Sequence, residues 1–476
     1  MKRMLAAAAL AAMMPTAHAQ DKGSADFTHS AEFRVRDVFE QNESGNQNVE
    51  PSHHNGILQR FKLGLGFKAN EKFSMTATLL QSSSWGQSAA DVPAGSEGVG
   101  DRSSVGAVGP NQPNFLEVNE AYATWMMSDE FHAKIGRMNF TFGDGSIMSV
   151  NDWQQQPFAF DGVATHWETE VGRFQFFAFK YRDYSAGIGI PGGLTATTSD
   201  PQHDAYGVVY DLKHMPEWLK SLNAHIIQDV GDAVWGSATN TTIQSTQNIS
   251  ALRYGVGAAM AFGAFDVKAD YEMNTGKNST ASATGVVLTD RTINQNMMQV
   301  EGGFSVPGLM GSRFSARYHM DSGTSAADAA TKDGSYDPYF YDRLSAAGLM
   351  QLVGWGNLTD ISVAWSLKPT DNLDAGVGYH MFSKTNSEDF VRPGMYGTKL
   401  FTGAQTLTTG STASSNIGSE IDLWAEHRYQ GGLSMLASVG EFMPGSDTKN
   451  RSNYGAGGPA NSDTVTQFMV QGKLTF

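Results

Sequence analysis

Cysteine is absent from the 476 residues, and no stretch offers the roughly 18 consecutive apolar residues of a membrane-crossing helix. The first absence removes disulfide frameworks and thiolate metal centres. The second removes helical anchors, but says nothing of strands. Positive charge is scarce too: 33 Lys and Arg stand against 48 Asp and Glu, a net charge of -15. Phosphate backbones call for Lys and Arg, so nucleic acid is not an expected partner. What remains is a chain rich in Gly (52 residues) with 11% aromatics and 40% hydrophobic residues. Its length suits two or three globular domains or one large β-barrel.

Lys2 and Arg3 precede an apolar run from Met4 to Met14, followed by Ala17-His18-Ala19. This is the layout of a bacterial secretory signal. Residues 1–19 therefore read as a leader, and 20–476 as a single exported domain. A chain without cysteine forms no wrong disulfides in an oxidising periplasm.

Period-two alternation dominates the exported part, as in strands whose successive side chains point to opposite faces. At the end of the chain Phe468, Val470, Gly472, Leu474 and Phe476 share one face, with Gln467, Gln471, Lys473 and Thr475 on the other. A terminal Phe on such a strand resembles the signal that outer-membrane barrels present to the barrel assembly machinery. Further upstream, Phe61, Leu63, Leu65 and Phe67 alternate with Arg60, Lys62 and Lys68. Phe314, Ala316 and Tyr318 alternate with Arg313, Arg317 and His319. A soluble sandwich and a membrane barrel both satisfy this pattern, so connection lengths must decide between them.

Strands are expected near 26–40, 56–69, 72–86, 114–127, 130–142, 158–168, 171–184, 203–213, 220–230, 250–262, 264–274, 294–304, 311–321, 357–367, 372–383, 417–428, 432–442 and 464–476. That is about 18, an even number as bacterial single-chain barrels require. Short connections such as Asn70-Glu71, Ser128-Asp129 and Gly263 alternate with long ones at 87–113, 185–202, 231–249, 275–293, 322–356, 384–416 and 443–463. Short turns on one rim and long loops on the other define a transmembrane antiparallel β-barrel with short periplasmic turns and long extracellular loops. The expected location is the outer membrane of a Gram-negative-type bacterium. Trp85, Trp125, Trp153, Trp218, Tyr184, Tyr206, Tyr210 and Tyr429 fall near strand ends, where aromatic girdles form. Composition leaves open whether the long loops stand outside the cell or fold into the pore.

Searches for catalytic chemistry end without a match. Gly276-Lys277 lacks the spacing of a phosphate-binding loop, and neither a Gly-x-Ser-x-Gly elbow nor a His-Glu-x-x-His helix is present. His53-His54, read as part of the first long loop, has no third ligand at recognisable spacing. No catalytic residue, metal or cofactor is expected.

By alternation the water-facing basic residues are Arg34, Arg36, Arg60, Lys62, Arg137, Lys180, Arg182, Arg253, Lys268, Arg313, Arg317, Arg428 and Lys473. The facing acids are Glu32, Glu120, Asp161, Asp266, Asp270, Glu272, Glu301, Asp374, Glu420, Asp422 and Glu426. Two readings are open. An Arg ladder offers successive weak sites to a polyanion, whereas mutual pairing braces the barrel and leaves a near-neutral hole.

Specific strings then carry a resemblance. Glu120-Ala121-Tyr122, Ile135-Gly136-Arg137, Phe142-Gly143-Asp144, Asp152-Trp153 and Phe160-Asp161-Gly162 are joined by Asp337-Pro338-Tyr339, Gly356-Asn357-Leu358, Leu367 to Leu373, Tyr379-His380, Gly418 to Asp422 and Glu441-Phe442. In this order they resemble the alginate-export family of outer-membrane proteins. The resemblance implies an 18-stranded barrel and a channel whose best-known members pass the anionic polysaccharide alginate through an Arg-lined constriction. It makes Arg137 the clearest candidate for a pore Arg. Glu420 and Asp422 then become acids facing it across the lumen, and Asp161 a further lumen acid. The expected function is a monomeric channel for polar and anionic solutes or polyuronate chains, surrounded by outer-membrane lipid. The alternatives are a general small-solute porin with internally paired lumen charges, a barrel hydrolase, and a plugged adhesin.

Overall fold

Asn and Ser at the short connections show how the alternating sequence becomes a wall. Asn70 accepts hydrogen bonds through Oδ1 from the amides of Lys72 and Phe73, and Ser128 does the same through Oγ for Glu130 and Phe131. Side chains that mimic a turn in this way close tight hairpins. The computed structural model describes residues 26–44, 53–85, 115–183, 189–190, 194–195, 202–237, 240–281, 288–342, 344, 347–394, 400–401, 414–450 and 462–476.

The wall starts with β1 (Asp26–Gln41), β2 (His53–Lys68), β3 (Phe73–Ser84), β4 (Phe115–Met126), β5 (Phe131–Met138), β6 (Phe160–Glu168), β7 (Gly172–Asp183), β8 (Gln202–Leu212) and β9 (Leu219–Ser237). It continues with β10 (Asn240–Phe262), β11 (Phe265–Ala281), β12 (Leu288–Val306), β13 (Ser312–Asp321), β14 (Leu358–Thr370), β15 (Leu373–Lys384), β16 (Asn416–Arg428), β17 (Leu433–Pro444) and β18 (Val465–Thr475). Every strand pairs antiparallel with its sequence neighbours, and β18 pairs with β1 to close the cylinder. The helical content among the described residues includes one turn, Ser446–Asn450.

Burial is inverted relative to a water-soluble protein. Large apolar side chains such as Met75, Ile135, Ile226, Val256, Val363 and Leu423 are exposed, whereas Arg36, Arg60, Glu272, His319, Asp360 and Glu420 are fully buried. Apolar outside and polar inside is the arrangement that lipid demands. At the short-turn rim the outward aromatics stack across strands. Phe73 lies 6.0 Å from Trp125, Trp218 5.8 Å from Phe262 and Phe314 6.0 Å from Trp365, between ring centroids. These pairs form the expected girdle, with Tyr210 on the Phe174 ring and Tyr429 on the His427 ring. Trp153 does not belong to it: it is buried inside the barrel under the Arg36 guanidinium. Tyr184 lies outside the described residues.

Several boundaries differ from the sequence reading. Strands β9 to β12 run well into the stretches expected as loops, 231–249 and 275–293. The outer parts of β10 and β11 are rich in Ser, Thr, Asn and Gln, so no apolar alternation marks them, while the backbone ladder continues. Strand β5 ends at Met138, and the chain then turns inward instead of reaching residue 142. His53 and His54 belong to β2, paired with Gln41 and Glu40, and not to a loop.

Candidate functional site

Three connections from the long-loop rim fold into the cylinder and meet one another there. They are residues 139–159, the described residues of 322–357, and 385–394. Phe140, Phe142, Trp153, Phe158, Tyr336, Leu352 and Trp355 are buried together in one apolar cluster with Met138, Phe160, Phe177 and Phe179 of the wall. Ser149 N donates to Phe340 O at 2.6 Å, and Arg392 pairs with Asp337 at 3.0 Å, which ties the segments together.

Segment 139–159 is anchored at both ends of its span. On the β1–β2 side, Arg34 donates to the carbonyl oxygens of Asp152 and Gln154 and to Gln155 Oε1, at 2.7 to 2.8 Å. Arg60 donates to the same two carbonyls and pairs with Glu32 at 2.5 Å, while Arg36 donates to Trp153 O and to Gln471. Lys62 pairs with the Asp152 carboxylate. Guanidinium groups have enough donors to hold several carbonyls in fixed geometry, which a lysine does not. On the other side of the lumen, Phe142 packs 5.0 Å from the ring of His225 on β9.

Segment 322–357 meets the acidic half of the wall. Tyr336 and Tyr339 donate their hydroxyls to Glu272 and Asp229 at 3.0 and 2.7 Å, and Arg253 bridges both acids while donating to Asp337 O. The amides of Leu349 and Met350 donate to Asp422 and Glu420. A strip of backbone is thus held by carboxylates on β16, with Gly348 in the space beside Glu420.

Towards the short-turn rim the lumen carries exposed ion pairs instead. Arg173 pairs with Asp211 at 3.0 Å, Arg313 with Asp266 and Glu301 at 2.6 and 2.7 Å, and Arg428 with Asp374 and Glu426.

The strand register separates the expected site residues into two groups. Arg34, Arg36, Arg60, Lys62, Arg253, Arg313, Arg317, Glu120, Glu420 and Asp422 share the face that meets the inward segments or the lumen ion pairs. Arg317 pairs with Asp360 at 2.8 Å, and Glu120 accepts from Thr78 and from the Asn139 amide. Arg137, Asp161 and Lys180 instead lie on the outward face. Arg137 is in phase with exposed Ile135, Asp161 with exposed Val163, and Lys180 with exposed Phe176, while Met138, Phe160 and Phe179 point into the apolar cluster. Arg137 pairs there with Asp161 at 3.1 Å. The charge-inside rule fails locally because the inward segment needs an apolar bed, which Met138, Phe160, Phe177 and Phe179 supply at the long-loop ends of β5 to β7. Glu420 and Asp422 consequently do not face Arg137. Arg182 is placed on β7 opposite His203, but its side chain lies outside the described residues.

The residues that sequence reasoning missed are mainly those of the inward segments. Their signal was visible: Phe140, Phe142, Phe158, Tyr336, Tyr341 and Trp355 are too many aromatics for connections bathed in water. No group of three or more metal-ligating side chains occurs among the described residues.

A family model described as alginate export matches residues 27–456. No curated protein matches the chain. Among solved structures, OccK8 (OprE) of Pseudomonas aeruginosa aligns over 95% of this chain and 98% of its own, with 12% identity and a TM-score of 0.55. OccAB2 of Acinetobacter baumannii aligns over 94% and 98%, with 11% identity and a TM-score of 0.56. OccK9 (OpdG) of P. aeruginosa covers 95% and 99%, with 11% identity and a TM-score of 0.55. At such identities the likeness is one of fold, that of an 18-stranded outer-membrane barrel.

Proposed function

The chain belongs to the alginate export family of outer-membrane channels, and from that premise we propose a narrow channel for small polar and anionic solutes, short saccharide acids among them. The observation that carries this reading is the three inward segments, which pack inside the cylinder around an apolar cluster. Loops that cross a lumen set its cross-section, and the charges beside them set its preference. A solute entering from the short-turn side exchanges partners along Arg428, Arg313 and Arg173, each of which already holds a carboxylate. A guanidinium has five N–H donors, so it can keep its carboxylate while donating to a passing anion.

The same pairing favours a second reading, a small-solute diffusion porin without anion preference. Single-channel conductance under a salt gradient, with an oligouronate added to one side, separates the two. Anion-selective current that the oligouronate blocks supports the first reading. Unselective, unblocked current supports the second, and a silent bilayer defeats both.

Within this reading residues 1–19 act as a cleaved export signal, and Phe476 as the mark read by the barrel assembly machinery. The protein works as a monomer in lipid and performs transport without a chemical step. Arg34, Arg36 and Arg60 serve as anchors of the inward segment and not as a ladder open to a polyanion, because all three are buried.

A further inference from the structure

Between the tip of segment 139–159 and strands β7, β9, β10 and β11 lies a cavity of about 350 Å³. Pockets of this size take a solute of amino-acid or monosaccharide dimensions. Three features of its lining call for a ligand with two opposite charges.

Asp144, on the inward tip, brings its carboxyl group against that of Asp270 on β11. Two carboxylates in contact repel unless a proton or a cation lies between them. Asn223 of β9 lines the same cavity, is 9% exposed, and has no hydrogen-bond partner for its amide among the described residues. The amide sits between two glycines: a Cβ at Gly257 or at Gly143 would approach its Nδ2 to 3.0 or 3.3 Å. The amide faces the cavity with its donors and acceptor free, so it can bond to a polar solute there. Lys268 also lines the cavity, with no carboxylate in ion-pair contact among the described residues. Arg173, by contrast, is already matched to Asp211.

We propose that this cavity binds a small zwitterion. The ammonium end is held between Asp144 and Asp270, the carboxylate end meets Lys268, and the Asn223 amide bonds to the polar atoms in between. A simple anion of the same size would meet two carboxylates, and a simple cation would meet Lys268, so only a solute carrying both charges satisfies the lining. The assignment rests on the channel reading solely for the route by which the solute arrives.

Calorimetry on the folded, detergent-solubilised full chain tests it with glycine, 4-aminobutyrate and 6-aminohexanoate against butyrate and butylammonium. The best zwitterion should bind at least about tenfold more tightly than either singly charged probe, the scale of one charge-assisted hydrogen bond. Asp144→Asn and Asn223→Ala should each weaken it by about tenfold. Asp144 lies off the wall, so barrel closure does not depend on it, and heat-modifiable gel mobility verifies that both variants fold. Equal binding of butylammonium and the zwitterions, or unchanged binding in both folded variants, overturns the proposal. Conductance in plain KCl is measured in parallel. Binding without conductance defeats the channel reading and keeps the site, whereas conductance without zwitterion binding does the reverse.

Discussion

Arg34 and Arg60 stand directly opposite each other in the β1–β2 register, and both guanidinium groups donate to the carbonyl oxygens of Asp152 and Gln154. Like charges placed across a strand pair are ordinarily destabilising. Here the two cations share acceptors on a third piece of chain, so the docked segment 139–159 adds to Glu32 in offsetting their repulsion. The wall and the constriction are therefore one electrostatic unit.

Replacing Arg60 with Met should undock that segment. Glu32 loses its partner in a largely buried setting, which costs about 3 kcal/mol, and the Asp152 carboxylate keeps only Lys62. A lower unfolding temperature and a larger single-channel conductance are expected. Unchanged conductance in a folded variant would show that the segment does not narrow the pore.

The anchor should survive acid. Burial alone would raise the Asp152 pKa, but Arg60 and Lys62 outweigh it and hold the carboxyl well below the usual carboxylate range. A group depressed in this way contributes stability that is complete above its unfolded pKa of about 3.9 and lost only as pH falls through the folded value. Conductance governed by this contact should stay flat from pH 8 to about 4.5. An opening step near pH 6 would assign the gate to other groups.

Arg137→Ala should leave ion selectivity untouched, because Arg137 lies on the outward face with Asp161. Loss of a partly exposed pair changes stability by about 0 to 1 kcal/mol. Arg313→Ala, which removes a lumen cation held by Asp266 and Glu301, should shift the reversal potential towards cations. Measured in the same salt gradient, only Arg313→Ala should move the reversal potential; a shift in Arg137→Ala would overturn the strand phase.

Gly348 has φ +79°, and a Cβ there would lie 2.0 Å from Glu420 Oε1. Gly348→Ala should cost about 1 to 3 kcal/mol in backbone strain and push residues 347–350 away from β16. Faster proteolysis of the 347–357 strip in the folded barrel is the expected readout.

The strand count was legible because turn chemistry is local: Asn70, Ser128 and Gly263 punctuate the chain wherever it reverses at one rim. The outer halves of β9 to β12 were not, since strands beyond the lipid have no apolar face to display. The expected lumen phase differs at the long-loop ends of β5 to β7, where Phe160, Phe177 and Phe179 face inward and Arg137, Asp161 and Lys180 outward. Alternation reports two faces but not which one meets lipid. Arg34, Arg36 and Arg60 lie on the inner face, yet their role as anchors depends on contacts more than ninety residues away in sequence. Nothing in the local pattern encodes such contacts.

Ala31 and Phe476 exchange two backbone hydrogen bonds, at 2.7 and 3.0 Å, where the last strand meets the first. A cylinder opened along that line would expose two rows of amides and carbonyls to hydrocarbon, which offers them no partners. The seam therefore behaves as a zipper, with the Ala31–Phe476 pair as one of its teeth. A cylinder that lost β18 is left as an edged sheet, prone to pair with a neighbour, so the closing strand guards the barrel against association as well as against lipid.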